Sequence, residues 1–207
     1  MLTVYGFPRS SNVLKVRFLL EELSLPYRQE LVPPEEPRPA AYLALNPVGK
    51  VPTLVDEQLV LTESNAILRF LARREGRHDL YGPTPGDAAR IDEFLDRVTL
   101  VLRPALFSHE RVALGFVPGR GFLPETGDRE AARATAADIA PTLELFDGLV
   151  AGDGTVLGHF TIADCAIAPS LYRTTHTGLD LEPYPNLQRL RDALVARPAF
   201  IAAGAVL

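Results

Sequence analysis

Cysteine is almost absent from this 207-residue chain, with Cys165 the only one. A lone thiol excludes internal disulfides and any C-x-x-C redox pair, and it fits a reducing compartment. Long apolar runs are missing too. No stretch approaches the roughly 18 residues of a membrane-crossing helix, and Pro8, Arg9 and Lys15 interrupt the region where a signal peptide would carry its apolar core. The expected location is the cytoplasm, without a membrane partner. The chain also lacks any block of Lys and Arg interleaved with aromatics, and its net charge is −5, so nucleic acid is not the expected partner. His78, His109, His159 and His176 show no H-x-x-x-H spacing, so no metal is expected, and there is no G-x-S-x-G elbow. Gly115-Phe116-Val117-Pro118-Gly119-Arg120-Gly121 is too proline-laden, and lacks a preceding strand, to be a phosphate loop. These exclusions point to a small molecule or another protein as partner.

What is present is a chain with 47% hydrophobic residues, long enough to bury a substantial core in one domain or two. Residues 1 to about 75 alternate strand and helix. Leu2 to Tyr5 read as a strand, Val13, Val16, Leu19, Leu20 and Leu23 as one helical face, and Tyr27 to Val32 as a second strand parallel to the first. Thr53–Asp56 and Gln58–Leu61 read as a hairpin, after which Thr62 offers a hydroxyl N-cap. Ala66, Ile67, Phe70 and Leu71 then repeat at helical spacing until Gly76, placing Glu63 and Ser64 in the first helical turn. Gly82-Pro83-Thr84-Pro85-Gly86 has linker composition, and strand signals fade beyond it. Ala88, Ile91, Leu95, Val98 and Leu102, and later Ile139, Leu143, Phe146 and Val150, keep helical period, with the Gly- and Pro-rich segment 115–127 as a break between long helices. Thr161-Ile162-Ala163-Asp164 is a capping box, which makes Asp164 structural, and Cys165 reads as a small buried hydrophobe.

Two segments carry chemistry. In Asn46-Pro47-Val48-Gly49-Lys50-Val51-Pro52-Thr53-Leu54, the Val51-Pro52 step is either an ordinary strand entry or, with a cis bond, an unpaired backbone edge able to pair with an extended peptide. Lys50, Glu63 and Ser64 beside that edge suit a small peptide bearing both charges. After the first strand, Ser10, Ser11 and Asn12 meet at a helix N-terminus, where exposed N–H groups stabilise an anion. One N-cap needs one of them, leaving two to explain. A thiol of pKa near 8.5 is roughly 3% ionised at pH 7 and roughly 75% ionised after a drop of about two units, which corresponds to about 2.7 kcal/mol.

The pattern resembles the glutathione transferase superfamily over nearly the whole chain. The matching pieces are Ser10 with Lys15-Val16, Tyr42-Leu43-Ala44-Leu45-Asn46-Pro47, Lys50-Val51-Pro52, Glu63-Ser64, the box from Thr161 to Asp164, Tyr184-Pro185-Asn186-Leu187 and Arg197-Pro198-Ala199-Phe200. The resemblance implies an α/β plus all-α fold, with a thioredoxin-like domain over residues 1–76, a linker over 77–86 and an all-helical domain over 87–207. It also implies a homodimer with glutathione as co-substrate. Carried over by position, Val51 pairs its backbone with the cysteinyl part of glutathione, Pro52 is cis, Glu63 and Ser64 hold the γ-glutamyl end, Lys50 meets the glycyl carboxylate, and Arg38 stands where some classes place a second cation. Ser10, with Ser11 or Asn12, would stabilise the thiolate for attack on an electrophile held near Phe7, Phe107, His109, Arg111 and Phe116.

Class resemblance is mixed. Arg9-Ser10-Ser11 with Val16-Arg17 is similar to the zeta class of cis-trans isomerases, but Asn12 stands where that class has cysteine. Ser10, Asn12 and Lys15 resemble bacterial nu-like members, among which disulfide and peroxide reduction is common, and Ser10 with Tyr42 to Pro47 also matches plant-type serine transferases. Serine rather than cysteine at position 10 argues against thiol transfer through an enzyme thiol. Transferase, reductase, isomerase and a non-catalytic interaction module all stay open at this point, although Lys50, Glu63 and Ser64 speak against the last.

Overall fold

The computed structural model describes residues 1–204; residues 205–207, the end of the expected helical domain, lie outside the described residues. Strands β1 (Leu2–Gly6), β2 (Tyr27–Leu31), β3 (Thr53–Asp56) and β4 (Leu59–Thr62) form one sheet in the order β2-β1-β3-β4. β1 and β2 are parallel, joined by helix α1 (Ser11–Glu22), with Leu2 opposite Tyr27 and Gly6 opposite Leu31. β3 runs antiparallel to both β1 and β4. Helices α2 (Ala40–Leu45) and α3 (Ser64–Arg74) complete a thioredoxin-like domain. Thr62 does not cap α3 as its hydroxyl suggested. It pairs with Thr53 as the last residue of β4, and the N-cap position falls on Glu63, whose φ of 63° lies in the left-handed region.

The one-turn helix α4 (His78–Tyr81) and the start of α5 (Pro85–Arg97) both fall within residues 77–86. Thr84 caps α5 by accepting from the Asp87 N–H at 3.2 Å. α5 continues through a π turn (Val98–Leu102) into α6 (Arg103–Leu114), with the Arg103 N–H reaching back five residues to the Val98 carbonyl. Pro104 accounts for the wider turn: its nitrogen has no proton for the Leu100 carbonyl, and its ring would crowd that oxygen in a regular α-helix. Helices α7 (Arg129–Leu149), α8 (Ile162–Thr177), α9 (Pro185–Val195) and α10 (Pro198–Ala202) complete the second domain. It is not purely helical. The break after α6 forms a short hairpin, β5 (Phe116–Val117) and β6 (Gly121–Phe122), with Phe116 opposite Phe122.

The two domains share one core, and α1 is its hinge pin. Its apolar face buries Val13, Val16, Leu19 and Leu20 as the spacing requires. Phe18, fully buried, meets Phe160 and Phe200 edge-on at 5.7 and 5.2 Å between centroids. A bidentate pair between Arg197 and Glu22 closes the same seam. The position of the α1 N-terminus is therefore set by both domains.

Candidate active site

β1 delivers the chain to α1 in a tight approach. A Cβ on Gly6 would stand 2.4 Å from Val13 Cγ2, so only glycine lets the end of the strand close on the helix. Ser10 is the N-cap, its Oγ accepting from the Val13 N–H at 3.4 Å. Ser11 and Asn12 follow in the first turn, their side chains uncommitted to hydrogen bonds among the described residues. The N-terminus of α3 faces the same space. Its N-cap makes no side-chain hydrogen bond, which leaves the first-turn N–H groups open to an anion.

Two cavities meet here. The first, about 130 Å³, is lined by Ser11, Asn12, Lys15, Glu63, Ser64 and Asn65 on the sheet side and by Thr99, Arg103 and Ser170 across the domain boundary. The second, about 220 Å³, is framed by Phe7, Ser10, Phe116 and Phe122 with Arg9, Arg103, Arg120 and Arg173. Ser11, Asn12 and Arg103 belong to both. Of the residues singled out in the sequence, Ser10, Ser11, Asn12, Glu63 and Ser64 thus converge on one place.

Arg38, Lys50, Val51 and Pro52 line neither cavity. The Val51-Pro52 peptide is cis, and so is Glu36-Pro37. The Val51 N–H and C=O enter no hydrogen bond among the described residues. Its neighbour is anchored: the Lys50 carbonyl accepts from the Asn46 side-chain amide at 2.7 Å and from the Tyr42 hydroxyl, and the Asn46 Oδ1 accepts from the Val48 N–H at 3.1 Å. This is what the segment from Tyr42 to Lys50 does locally, since its two polar side chains lock the turn that presents Val51. The Lys50 side chain is exposed. Arg38 donates to the Gly49 carbonyl at 3.0 Å and to the Pro33 carbonyl, and its side chain is only 10% exposed, so its guanidinium braces the proline-rich loop.

Three cations that were not among the expected site residues line the cavities. Lys15 is buried beneath the first cavity, donating to Asn65 Oδ1 at 2.7 Å, while the Asn65 amide donates to Thr99 Oγ1 at 3.0 Å. Burial, with Arg103 next in weight, lowers its pKa to about 7, against the opposing pull of Glu63. Arg103 and Arg173 both grip the buried Glu110, at 2.8 and 2.9 Å, and Arg173 also donates to the Arg9 carbonyl. Burial lowers the Arg103 pKa. Lys15, between Leu14 and Val16, entered the sequence pattern only as part of a resemblance, and an arginine inside the apolar stretch of α8 carries no signal in one dimension; only the fold turns them toward a cavity.

Other expectations resolve differently. Phe116 lines the second cavity and Phe107 backs it, 5.0 Å from Phe116. His109 does not reach it: the ring is buried with Nδ1 2.9 Å from Thr135 Oγ1, and Nε2 has no hydrogen-bond partner among the described residues. Arg111 is exposed and lines neither cavity. Asp164 accepts from the Val156 and Thr161 N–H groups, each at 2.8 Å, and burial raises its pKa to about 6, so it ties the loop before α8. Cys165 is fully buried, and desolvation raises its pKa. Among the described residues no cluster of His, Cys, Asp and Glu suits a metal, and no helix is long and apolar enough to cross a membrane.

Comparison with known proteins gives this geometry its family. Residues 4–83 match the model of the glutathione S-transferase N-terminal domain, and residues 129–193 match that of the C-terminal domain. Glutathione S-transferase GstB of Escherichia coli (strain K12) is 37% identical over 204 residues, covering 96% of this chain and 95% of that protein. Maleylacetoacetate isomerase of Pseudomonas aeruginosa is 30% identical over 96% of this chain and 93% of its own length. The theta class glutathione S-transferase of Xanthomonas axonopodis pv. citri, solved with glutathione bound, superposes with a TM-score of 0.84 at 27% identity, covering 100% of this chain and 98% of that one. With two matching domains that share one cleft and a relative 37% identical along nearly its whole length, the chain belongs to the glutathione S-transferase family.

Proposed function

We propose that this protein binds glutathione across the first cavity and the Val51 edge, holds its sulfur as a thiolate at the start of α1, and directs it at an electrophile in the second cavity. The carrying observation is the convergence of the α1 and α3 N-termini, with Ser11, Asn12, Glu63 and Ser64, on a cavity that opens into an apolar one. In this reading Glu63 and Ser64 take the ammonium and carboxylate of the γ-glutamyl end, the unpaired Val51 backbone takes the cysteinyl amide, and Lys50 meets the glycyl carboxylate.

Ser10 has two tasks. As N-cap its oxygen accepts from Val13, which leaves its proton free to donate to sulfur. Ser11 and Asn12 supply further donors at the positive end of α1, and Arg103 at the junction adds a cation. The electron pair that attacks is the thiolate's own, so no enzyme thiol enters the reaction; the buried Cys165 is no candidate.

The test follows thiolate absorbance during a glutathione titration for the native protein and for Ser10→Ala, Ser11→Ala and Asn12→Ala. Thiolate is expected below pH 7 in the native protein, with a thiol pKa about one to two units higher in the variant that removes the main donor. Glutathione bound without thiolate signal below pH 7.5 would sink the mechanism, and equal signals in all variants would leave the helix end and Arg103 as the activators. A homodimer belongs to this proposal. Its support is apolar exposure on the π turn, where Leu100 and Val101 are 74% and 41% exposed, rather than on α3.

A further inference from the structure

We infer that the electrophile taken by the second cavity is an anion: a single aromatic ring bearing a carboxylate. This rests on the glutathione reading above and deepens it.

Four arginines, Arg9, Arg103, Arg120 and Arg173, line this cavity, and no acidic side chain does. The whole chain carries a net charge of −5, so the concentration of positive charge is local and runs against the composition. The carboxylate beneath the floor, Glu110, serves two guanidinium groups at once. Arg103, Glu110 and Arg173 together leave one positive charge uncompensated in a largely buried place, an arrangement that disfavours the empty site and favours one occupied by an anion. The lowered pKa of Arg103, caused first by desolvation, agrees with that deficit.

The remaining two arginines stand at the rim. Arg9 is exposed and holds the Phe122 carbonyl at 3.4 Å. Arg120 sits at the tip of the β5–β6 hairpin between Gly119 and Gly121, whose φ values of 74° and 83° let the chain turn back on itself. The Glu36 N–H donates to the Gly119 carbonyl at 3.1 Å, so the tip is docked on the loop after β2. The hairpin thereby brings Arg120 over the mouth of the cavity.

The walls select the rest of the molecule. Phe116 and Phe122 meet edge-on at 5.2 Å, Phe7 lies opposite the hairpin in the lining, and Arg173 stacks over the Phe122 ring at 5.0 Å. An apolar cavity of about 150 Å³ accepts benzene, so about 220 Å³ admits one ring with its carboxylate and little more. A planar carboxylate suits the forked donors of arginine. For such a molecule that also carries a halomethyl group on the ring, the glutathione thiolate attacks the benzylic carbon, a carbon–sulfur bond forms, the carbon–halogen bond breaks, and halide departs with its electron pair; nothing is oxidised or reduced.

Calorimetric titration of S-benzylglutathione and S-(4-carboxybenzyl)glutathione into the native protein separates the claims. The carboxylated conjugate is expected to bind about tenfold tighter or better, with the preference shrinking in 0.5 M salt and falling at least severalfold in the Arg9→Gln/Arg120→Gln double variant, whose changes lie at exposed positions. Kinetics with 4-(bromomethyl)benzoate and its methyl ester should show the same ratio in kcat/KM after subtraction of the spontaneous reaction. Equal or reversed affinities, with S-benzylglutathione still binding, would overturn the anionic substrate and leave the glutathione reading standing. Failure of both conjugates to bind would overturn both. A preference that survives intact both in the double variant and in Arg173→Gln would remove the carboxylate from this cavity and overturn the assignment.

Discussion

Glu63 combines a strained backbone with a proposed ligand contact. At a φ of 63° a side chain with a Cβ is disfavoured by about 1 kcal/mol relative to glycine. Glu63→Gly is therefore expected to stabilise the fold by about 1 kcal/mol in urea unfolding while weakening glutathione binding more than about tenfold, since the carboxylate is gone. A variant that is both stabler and still binds normally would remove Glu63 from the site. Lys15 allows a pH test. Its folded pKa of about 7 lies below the ordinary lysine value of 10.5, so between those values the unfolded chain binds more protons than the folded one. The native protein should therefore gain stability relative to Lys15→Met as pH rises from 7 to 10.5, and lose it as pH falls back through 7. The full swing is on the order of 4 kcal/mol, read as the difference between the two unfolding free energies at each pH. Burial sets this value first, and the charges that adjust it, Arg103, Glu63 and Arg69, are unchanged in the comparison.

At the scale of elements, the start of α8 depends on one carboxylate. Asp164 accepts from the Val156 N–H, the Thr161 N–H and the Thr161 hydroxyl, all buried. Asp164→Ala leaves those donors without a partner, at about 1 kcal/mol or more each, so a loss of about 3 kcal/mol or more is expected in urea unfolding, with glutathione affinity at saturation of the folded fraction retained. This element was legible in the sequence because a capping box is local: residues three apart on a helix start are always neighbours. The β3–β4 hairpin and the apolar face of α1 were legible for the same reason. The left-handed Glu63 was not, because Thr62 has the cap-like side chain and only the sheet ladder, which keeps Thr62 paired with Thr53, decides which residue leaves the strand. The β5–β6 hairpin was equally hidden, as two residues per strand carry no period.

For the whole molecule, α1 is shared property. Its first turns carry Ser11, Asn12 and Lys15 to the cavity, while further along Phe18 packs against Phe160 and Phe200 of the second domain. Phe18→Ala is expected to cost about 3–5 kcal/mol, and amide exchange should show α1 and α8 losing protection together, because no boundary separates their packing. Independent loss of protection in the two helices would show that the domains unfold separately.

The sequence by itself determined the strand-helix alternation of the first domain, the helical character of most of the second and the residues that stand at the starts of α1 and α3. Those features rest on periodicity, caps and turns, which act over a few neighbouring residues. Tertiary structure alone decided that Lys15, Arg103 and Arg173 surround the site, that Arg38 braces a loop, and that His109 turns away from the cavity. Each of those depends on contacts between segments remote in the chain, and a guanidinium's environment is set by groups 164 positions distant in the bond from Arg173 to the Arg9 carbonyl and 175 in the pair of Arg197 with Glu22.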